Sequence, residues 1–565
     1  MDFDNKVNKV LETDVLVIGG GMAGCCAAAR AADHGLDVIV VEKAHTKRSG
    51  CAGMGIDHYE SVPQGTLTAK MLTERFEFEQ SRINGDRVGN PNILYKYFDS
   101  QWDTIKGLED LGADMKWYDD DYYFFNRPDM FPGHRYWLRV RWQNIKPILS
   151  KAIYQRKDKV TTLERTMVVD VITENGRAAG VTAFNTRTGE FFVIKANAVV
   201  IATGQLQRAY ESESPNSDSY KLRYDGSPST QSGDGFAMAY RAGADLVNMD
   251  INGWMFRCRD DLVISFGNFE HNDGLPSHYF NNQGKEFMFA DAQVYDKLET
   301  AGQTPLYRRL NHLPDDYFKR VQLCYVDEKM VDFKFASDRQ FNPHDHAFEV
   351  TPFKPLSFMA SSGVHIGEEF NTNVPGLFAI GDVASPLHSC SVAAGSAFLL
   401  ADALPEYLKG LSTTDLDAGR IEASKERTYR PLEGEKRDIV ALDLETSVRY
   451  ICERYVGLKR SAGKLNEGLR RLGSLRKFVV PRVMTDTPHD LMRYHEALNI
   501  LEMAEVHIES CLSRKETRGN FMRVDFPERD PARDNRLTHQ RLENGKSVIE
   551  FKGVPDLNPE LMKED

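Results

Sequence analysis

The segment from Asp14 to Gly24 constrains the fold of this chain more than any other part of its sequence. It reads DVLVIGGGMAG, an apolar run that leads through glycines into a helix of small residues, and a second apolar run ends at Glu42. In a strand–helix–strand unit, Gly19 permits the tight turn, Gly21 lets the backbone approach a diphosphate and Gly24 lets helix and strand pack closely. The helix N-terminus directs free amides at the phosphates. Glu42 can accept from both ribose hydroxyls and would repel a 2′-phosphate, so the sequence predicts a bound dinucleotide without one.

Length, composition and charge limit the number of domains and the kinds of partner that this chain can have. A chain of 565 residues, 41% hydrophobic and 27% charged, is expected to fold as two or three globular domains. Its net charge of −12 is spread without basic stripes, which disfavours nucleic acid and anionic membrane surfaces. The polar N-terminus and the lack of any long apolar run predict no membrane span and a cytoplasmic location. The eight cysteines form no CxxC pair, so we expect no metal site, no iron–sulfur cluster and no disulfide framework in this chain.

Two later segments repeat the design of a strand that ends in small residues. Residues 161–196 alternate apolar and polar positions, with turns at Asn175-Gly176 and Thr188-Gly189, and are predicted to form a three-stranded antiparallel meander. A buried strand at 197–201 follows and ends in Ala202-Thr203-Gly204. Downstream, the segment VPGLFAIGD at 374–382 is predicted to be a turn and a strand that end in a glycine and a carboxylate. That carboxylate suits a polyol hydroxyl, and the small-residue helix after it offers backbone amides to a polarised ring edge.

These motifs carry a resemblance. The glycine loop with Glu42, the ATG segment, SGDG at 232–235 and GLFAIGD at 376–382 resemble the flavoproteins of the succinate dehydrogenase and fumarate reductase superfamily. Within it, the chain is most similar to the adenylylsulfate reductase alpha subunit. The resemblance implies an α/β fold with a FAD-binding Rossmann-like domain of the glutathione reductase type at 1–245 and 351–410. It also implies an inserted α+β capping domain at 246–350, a C-terminal helical domain at 411–515 and an extended C-terminal tail at 516–565.

The C-terminal third can also be interpreted from its residues. From Gly419 to Ser513 the sequence has helical rather than strand periodicity, and the apolar positions of 490–512 fit one broad helix face. The charged, proline-punctuated tail after Arg514 is typical of an extended arm, and we expect it to contact another subunit.

The resemblance also implies the cofactor and the residues that hold it. The dinucleotide is expected to be FAD, bound noncovalently because Gly50 stands where covalently flavinylated relatives have a histidine. Cys51 is interpreted as a packing residue, with a redox role as the alternative. Iron–sulfur clusters are expected in a ferredoxin-like partner subunit, which makes the protein a hetero-oligomer. The expected cofactor-binding residues are Gly19, Gly21, Met22, Ala23, Gly24, Glu42, Lys43, Ser49, Gly50, Cys51, Val168, Ala202, Thr203, Gly204, Asp234, Gly381, Asp382, Gly395 and Ser396.

Catalysis on an anionic substrate needs cations or donors at the flavin face. The segment NGWMFRCRDD supplies Trp254, Arg257 and Arg259, and the resemblance places Arg257 where adenylylsulfate reductases have an arginine near the sulfur-bearing group. The alternative is a structural arginine paired with a neighbouring aspartate. His365 and His388 lie in segments that flank the flavin in the family, and each is a candidate proton carrier or a structural histidine.

Departures from the family pattern bear on the substrate. The arginine of the fumarate reductase RGEGG run is missing from NDGLPSHYFNNQGKEF, and the dicarboxylate-binding arginine is missing from LHSCSVAAGS. Fumarate and succinate are therefore poor substrate predictions. Glu60 and Gln143 differ from the adenylylsulfate reductase pattern, and the tryptophan expected before SGDG is absent, which leaves adenylylsulfate open. The aromatic and arginine-rich segment 119–142 is interpreted either as a hairpin packed on the FAD domain or as a site for a flat ligand.

The sequence thus predicts an FAD-dependent oxidoreductase subunit that moves electrons between a small anionic or aromatic substrate and an iron–sulfur partner. One alternative is an electron-relay subunit whose substrate site is degenerate. The others are a fumarate reductase-like and a ketosteroid-type dehydrogenase.

Overall fold

The computed structural model describes residues 7–117, 121–126, 134–210, 229–251, 253–255, 278–287, 291–309, 311, 347–350, 354–357, 362–386, 389–433 and 437–562. The strands are β1 (Val7–Ile18), β2 (Val38–Glu42), β3 (Ile56–Tyr59), β4 (Tyr123–Asn126), β5 (Arg135–Gln143), β6 (Val160–Glu164), β7 (Thr166–Glu174), β8 (Arg177–Asn185), β9 (Phe191–Ile201), β10 (Leu246–Val247), β11 (Gly253–Met255), β12 (His278–Phe280), β13 (Glu286–Phe287), β14 (Leu306–Arg309), β15 (Ala347–Val350), β16 (Lys354–Ser357), β17 (Gly363–Val364), β18 (Leu377–Ala379), β19 (Lys459–Arg460), β20 (Met522–Arg523), β21 (Arg536–Glu543) and β22 (Lys546–Gly553).

The helices are α1 (Met22–Asp33), α2 (Ala69–Asn84), α3 (Pro91–Asp99), α4 (Gln101–Asp110), α5 (Ile145–Gln155), α6 (Asp234–Arg241), α7 (Ala292–Thr300), α8 (Cys390–Leu408), α9 (Ala418–Tyr429), α10 (Ala441–Ile451), α11 (Ala462–Phe478) and α12 (Pro488–Ser513). Together with the strands they confirm the mixed α/β fold that the sequence predicts. Among the described residues, no helix is both long and apolar enough to cross a bilayer.

The central sheet brings the predicted cofactor segments to one edge. Its strand order is β6-β2-β1-β9-β8-β7, and β18 also pairs with β9. Strands β2, β1, β9 and β18 are mutually parallel, with Ile18 opposite both Val41 and Ile201. Each residue of β2 is buried, which fits a parallel strand covered on both faces. Because parallel strands end at the same edge, the loops after β1, β9 and β18 meet there.

The predicted meander is present but shifted along the chain. Its strands are β7, β8 and β9, with the turn at Asn175-Gly176 as expected. Residues 160–164 form β6 instead, which pairs in parallel with β2. The expected third meander strand and the strand at 197–201 are one strand, because β9 pairs with β8 in its first half and with β18 in its second half. Strand β9 is long because its two halves pair with different strands on the same side.

The aromatic segment forms the hairpin that was one of its two interpretations. Strand β5 pairs antiparallel with β4 and with β3. Tyr136 and Trp137 are buried in a cluster with residues of α2, α3 and α8. These side chains therefore contribute to a hydrophobic core in the part of the hairpin that is described.

The C-terminal region contains the predicted helix and corrects the predicted tail. Helix α12 covers the expected segment and begins with a capping box between Thr487 and Asp490. The tail, however, is not an extended arm, since β21 and β22 form a hairpin in a sheet of order β17-β10-β21-β22. The turn residues Asn544 and Gly545 both have positive φ. An Asn-Gly pair between two alternating segments is a hairpin signal, and the predicted extended arm did not take it into account.

Candidate FAD site and the charged groups around it

The loop between β1 and α1 requires glycine at two positions for reasons of backbone geometry. Gly19 has a φ of 102°, and a Cβ there would lie 2.5 Å from the carbonyl oxygen of Ala202. A Cβ on Gly24 would lie 1.8 Å from the carbonyl oxygen of Gly19. A side chain at either position would force the loop away from β9 or α1 away from the loop. The structure thus shows the tight turn and the close helix packing that the motif predicts.

The space in front of α1 fits a diphosphate. A Cβ on Gly21 would find only the carbonyl oxygen of Ala202, at 4.0 Å, so the helix N-terminus faces open space. No side chain of the described residues caps this helix, so its first amides can bind an anion. The Thr203 hydroxyl is buried without a hydrogen-bond partner among the described residues. A helix N-terminus that no described side chain caps, at the carboxyl edge of the sheet, suits the phosphates of FAD.

Glu42 binds the backbone of the glycine loop and the backbone that follows β2. It is 5% exposed at the end of β2. Its Oε2 accepts from the Gly20 amide at 2.7 Å and its Oε1 accepts from the Ala44 amide at 2.6 Å. Each carboxylate oxygen can accept a second hydrogen bond, so Glu42 keeps the capacity to bind ribose hydroxyls.

The carbonyl of Gly20 has a partner that the sequence prediction missed. The fully buried Lys146 of α5 donates to this oxygen at 2.5 Å, and Ser49, one of the predicted residues, donates to it at 2.9 Å. Lys146 also contacts the Cys25 sulfur at 3.3 Å. The signal for Lys146 was a lone lysine in the apolar run that opens α5. Together with Glu42, these donors bind both polar groups of the Gly20 backbone.

Two predicted cofactor residues, Lys43 and Asp234, bind each other instead of facing the loop. The Lys43 ammonium donates to Ser232 Oγ at 2.7 Å, to Asp234 Oδ2 at 2.6 Å and to Glu496 Oε1 at 2.7 Å. An ammonium has three N–H donors, so none remains for a ligand. Asp234 Oδ1 accepts from Asn499 of α12 at 2.8 Å. Both side chains therefore connect the central sheet to the C-terminal helices.

Their contacts extend into a buried set of charges that we call the interdomain ion cluster. Arg208 binds both Glu496 and Glu445, and it is 3% exposed. Burial on its own would raise the pKa of Glu496, but the charges of Lys43 and Arg208 outweigh it and lower the pKa to about 2. The members of the cluster are Lys43, Arg208, Asp234, Glu445, Arg449, Arg493 and Glu496.

The third predicted loop, after β18, lies against α1. A Cβ on Gly381 would be 3.0 Å from the Cβ of Ala23. The Gly381 amide donates to Ser396 Oγ at 2.9 Å, and Asp382 accepts from the Ser389 amide at 3.1 Å. These contacts join the loop after β18 to the first turns of α8.

The remaining predicted cofactor residues are spread over several elements. Gly50 has a φ of 77°, and its Cβ would be 3.2 Å from the Gly21 Cα. Cys51 accepts from Gln231 Nε2 at 3.1 Å. The others are Met22 in the first turn of α1, Val168 buried in β7, Ala202 and Gly204 after β9, and Gly395 against the Tyr97 ring.

Of the predicted catalytic residues, three lie outside the described residues: Arg257, Arg259 and His388. Trp254 is described only as backbone in β11. His365 follows β17, and its ring packs on the His539 ring with centroids 4.6 Å apart. Burial, helped by the electrostatic effect of the neighbouring His539, lowers the pKa of His365 to about 4. The structure thus groups His365 with the C-terminal hairpin.

Comparisons with known proteins agree with this geometry. Residues 14–397 match the FAD binding domain family, and residues 445–558 match the fumarate reductase flavoprotein C-terminal family. The chain is 24% identical to an uncharacterised FAD-dependent oxidoreductase of Methanocaldococcus jannaschii, over 92% of this chain and 94% of that protein. It is 25% identical to a subunit of the fumarate reductase (CoM/CoB) of Methanothermobacter marburgensis, over 93% and 96% of the two chains.

Among solved structures, adenylylsulfate reductase of Archaeoglobus fulgidus is similar, with a TM-score of 0.81 and 20% identity over 97% of each chain. That level of identity shows a shared fold. The two family matches together cover most of the chain. The chain therefore belongs to the flavoproteins of the succinate dehydrogenase and fumarate reductase superfamily and is an FAD-dependent oxidoreductase.

Proposed function

We propose that this chain is the FAD-bearing subunit of a redox enzyme that moves electrons between a small, anionic or aromatic substrate and an iron–sulfur partner subunit. One observation carries the proposal: the chain builds an FAD cradle, while its eight cysteines are scattered along the sequence without the close spacing typical of a cluster-binding motif. Of its eight cysteines, Cys25, Cys26, Cys452 and Cys511 are buried, and no two of the eight form a CxxC pair. Bound FAD exchanges electrons in pairs with substrates and singly with one-electron centres. We infer that a one-electron acceptor for this flavin lies on another subunit.

The relatives support a partner subunit. The Methanothermobacter protein is named as one subunit of its enzyme, and the similar Haemophilus influenzae protein is named a fumarate reductase flavoprotein subunit. Native purification tests this part of the proposal, with metal and acid-labile sulfide analysis of any protein that copurifies. A copurifying iron–sulfur protein is expected, whereas a catalytically complete single chain would contradict the proposal.

The predicted cationic and donor side chains favour an anionic substrate. Arg257 and Arg259 in the segment that follows β11, with His388 before α8, stay the predicted donors toward an anionic substrate. We expect Arg257→Ala to abolish substrate turnover and to leave the FAD content unchanged, because a substrate-binding arginine is not needed to hold the dinucleotide. Retained turnover would remove Arg257 from the catalytic residues.

We further propose that FAD is held noncovalently. The positive φ of Gly50 and the 3.2 Å between its Cβ position and the Gly21 Cα leave no room for a larger side chain without a shift of the loop. Acid precipitation of the holoprotein should release all of the FAD into the supernatant. A yellow pellet would show a covalent bond and would contradict this assignment.

A second candidate function is an electron relay with no substrate of its own. The missing family arginines in NDGLPSHYFNNQGKEF and LHSCSVAAGS favour it. A relay should exchange electrons with its partner while its flavin absorbance ignores every small substrate. A fumarate reductase-like or a ketosteroid-type enzyme should instead reoxidise or bleach its flavin with fumarate or a ketosteroid, respectively.

A further inference from the structure

Three side chains from distant parts of the chain meet beneath the C-terminal hairpin. Asp245 precedes β10, His365 follows β17, and His539 lies in β21. One potential ligand atom from each lies within 4.8 Å of the other two. Asp245 is 3% exposed and His539 is 4% exposed. We call these residues the Asp245–His365–His539 cluster.

The Asp245 carboxylate uses only one of its oxygens. Its Oδ2 accepts from His539 Nδ1 at 3.0 Å and from Lys552 Nζ at 2.8 Å. Its Oδ1 is buried and has no hydrogen-bond partner among the described residues. The guanidinium of Arg541 is near that oxygen, but at 3.6 Å it is too far for a hydrogen bond. A buried carboxylate oxygen left unsatisfied is costly and calls for a ligand.

The imidazole of His365 is also short of partners. Its backbone amide donates to the Asp245 carbonyl at 2.9 Å, which fixes the position of the residue. Its ring packs on His539, and neither ring nitrogen forms a hydrogen bond within the described part of the chain. A neutral imidazole with a free lone pair is the commonest metal ligand in proteins.

We propose that Asp245, His365 and His539 bind a divalent transition-metal ion, for which zinc is the best match, and that this ion fastens the C-terminal hairpin to the FAD domain. Two imidazole nitrogens and one carboxylate oxygen are ligands that zinc prefers, with water in a fourth position. Tetrahedral zinc holds its ligand atoms roughly 3.4 Å apart. The three side chains therefore need only a modest contraction. The ion would be bound by Oδ1 of Asp245 and by Nε2 of His539, which leaves the bonds of Oδ2 to His539 Nδ1 and Lys552 in place.

The neighbouring charges decide how tightly a cation can bind. Lys552 lies 3.6 Å from Glu550, and Arg541 lies 2.8 Å from Glu550 and also binds Glu543. The two glutamates therefore offset the two cations, and the negative charge of Asp245 remains for the metal. Lys552 still competes for the carboxylate, and at 44% exposure its side chain can be replaced without opening the core.

Loss of a ligand and loss of the Lys552 charge should change the affinity for zinc in opposite directions, which gives a test of the site. The full chain with its FAD, prepared metal-free and without a polyhistidine tag, is titrated with zinc by calorimetry. Co²⁺ absorbance in the visible range serves as a second probe of the ligands. We expect one equivalent of zinc, and a loss of about 100-fold or more in affinity for Asp245→Asn and His539→Gln. Lys552→Met should bind zinc several-fold more tightly. The exposed His489 provides the control, and His489→Gln should bind as the unchanged chain does.

A failure to fold would not hide the answer, because zinc should also raise the thermal midpoint of the unsubstituted protein. The proposal is overturned if the unsubstituted chain binds no stoichiometric zinc. It is equally overturned if Asp245→Asn, folded by circular dichroism, binds as well as the parent, or if Lys552→Met weakens binding.

Discussion

Glu42 and Lys43 are neighbours at the end of β2, but they belong to two regions that are held together by different kinds of contact. Glu42 binds backbone amides of the glycine loop, at 2.7 and 2.6 Å. Lys43 binds side chains of the interdomain ion cluster. The cofactor region consists of glycines, small residues and backbone groups, whereas the interdomain region consists of buried charges. A small added side chain should therefore weaken FAD binding in the cofactor region, and the loss of a charge should lower stability in the interdomain region.

The largest effect is expected when the interdomain ion cluster loses a carboxylate. Glu445 is fully buried and binds Arg208, Arg449 and Arg493. Glu445→Gln leaves Arg449 without an ion pair among the described residues and leaves Arg208 and Arg493 to share Glu496, so we expect a loss of about 3–5 kcal/mol in the free energy of unfolding. Denaturant unfolding measures it. Asp438→Asn, which breaks an exposed pair with Arg482, should cost less than about 1 kcal/mol. Equal costs for the two variants would show that the buried charges of the cluster contribute no more to stability than an exposed pair does.

The steric counterpart in the cofactor region is Gly21→Ala. Its Cβ would enter the open space before α1, so the apoprotein should keep its stability while the FAD dissociation constant rises at least about tenfold, or about 1.4 kcal/mol. Quenching of FAD fluorescence measures the binding. Gly463→Ala in α11, where a Cβ meets nothing within 4 Å, is the control and should leave binding unchanged. Unchanged binding in Gly21→Ala would mean that the diphosphate lies elsewhere.

Lys146 tests whether a charged side chain matters in the cofactor region as well. Lys146→Met removes the donor to the Gly20 carbonyl, and we expect FAD to bind about fivefold more weakly, close to 1 kcal/mol. The same fluorescence titration applies. Lys151, exposed on the same helix, offers the matched variant Lys151→Met, which should bind FAD normally. If both variants bind alike, the loop is held by Glu42 and Ser49 alone.

The smallest effect concerns pH and the interdomain helix α12. Burial, aided by the charge of Arg460, lowers the pKa of His507 to about 3, from an ordinary value of 6.5. The unfolded chain therefore binds a proton between these values that the folded chain does not, and stability is lost as the pH falls below 6.5. From pH 7 to pH 6 this residue should cost about 0.7 kcal/mol. His507→Gln should flatten the stability curve by that amount, and an unchanged slope would show that His507 titrates normally.

The parts of the structure that the sequence predicted are those set by local patterns. The glycine loop, the parallel strand ends and α12 follow from residue spacing within one element. The interdomain ion cluster could not be predicted, because Lys43 and Glu496 are brought together only by the tertiary fold. The same holds for the Asp245–His365–His539 cluster. The hairpin of β21 and β22 was within reach, since Asn544-Gly545 signalled it, but the charged composition of the tail favoured an extended arm.

The central claim is that this chain bears a flavin with its own substrate as well as an electron-transfer partner. The most direct test follows flavin absorbance without oxygen while small anionic and aromatic compounds are added, first to the oxidised and then to the reduced holoprotein. We expect one compound to bleach or reoxidise the flavin, and we expect Arg257→Ala to lose this response while it keeps its FAD. A flavin that responds to no compound, yet exchanges electrons with a copurifying iron–sulfur protein, would contradict it and leave a relay.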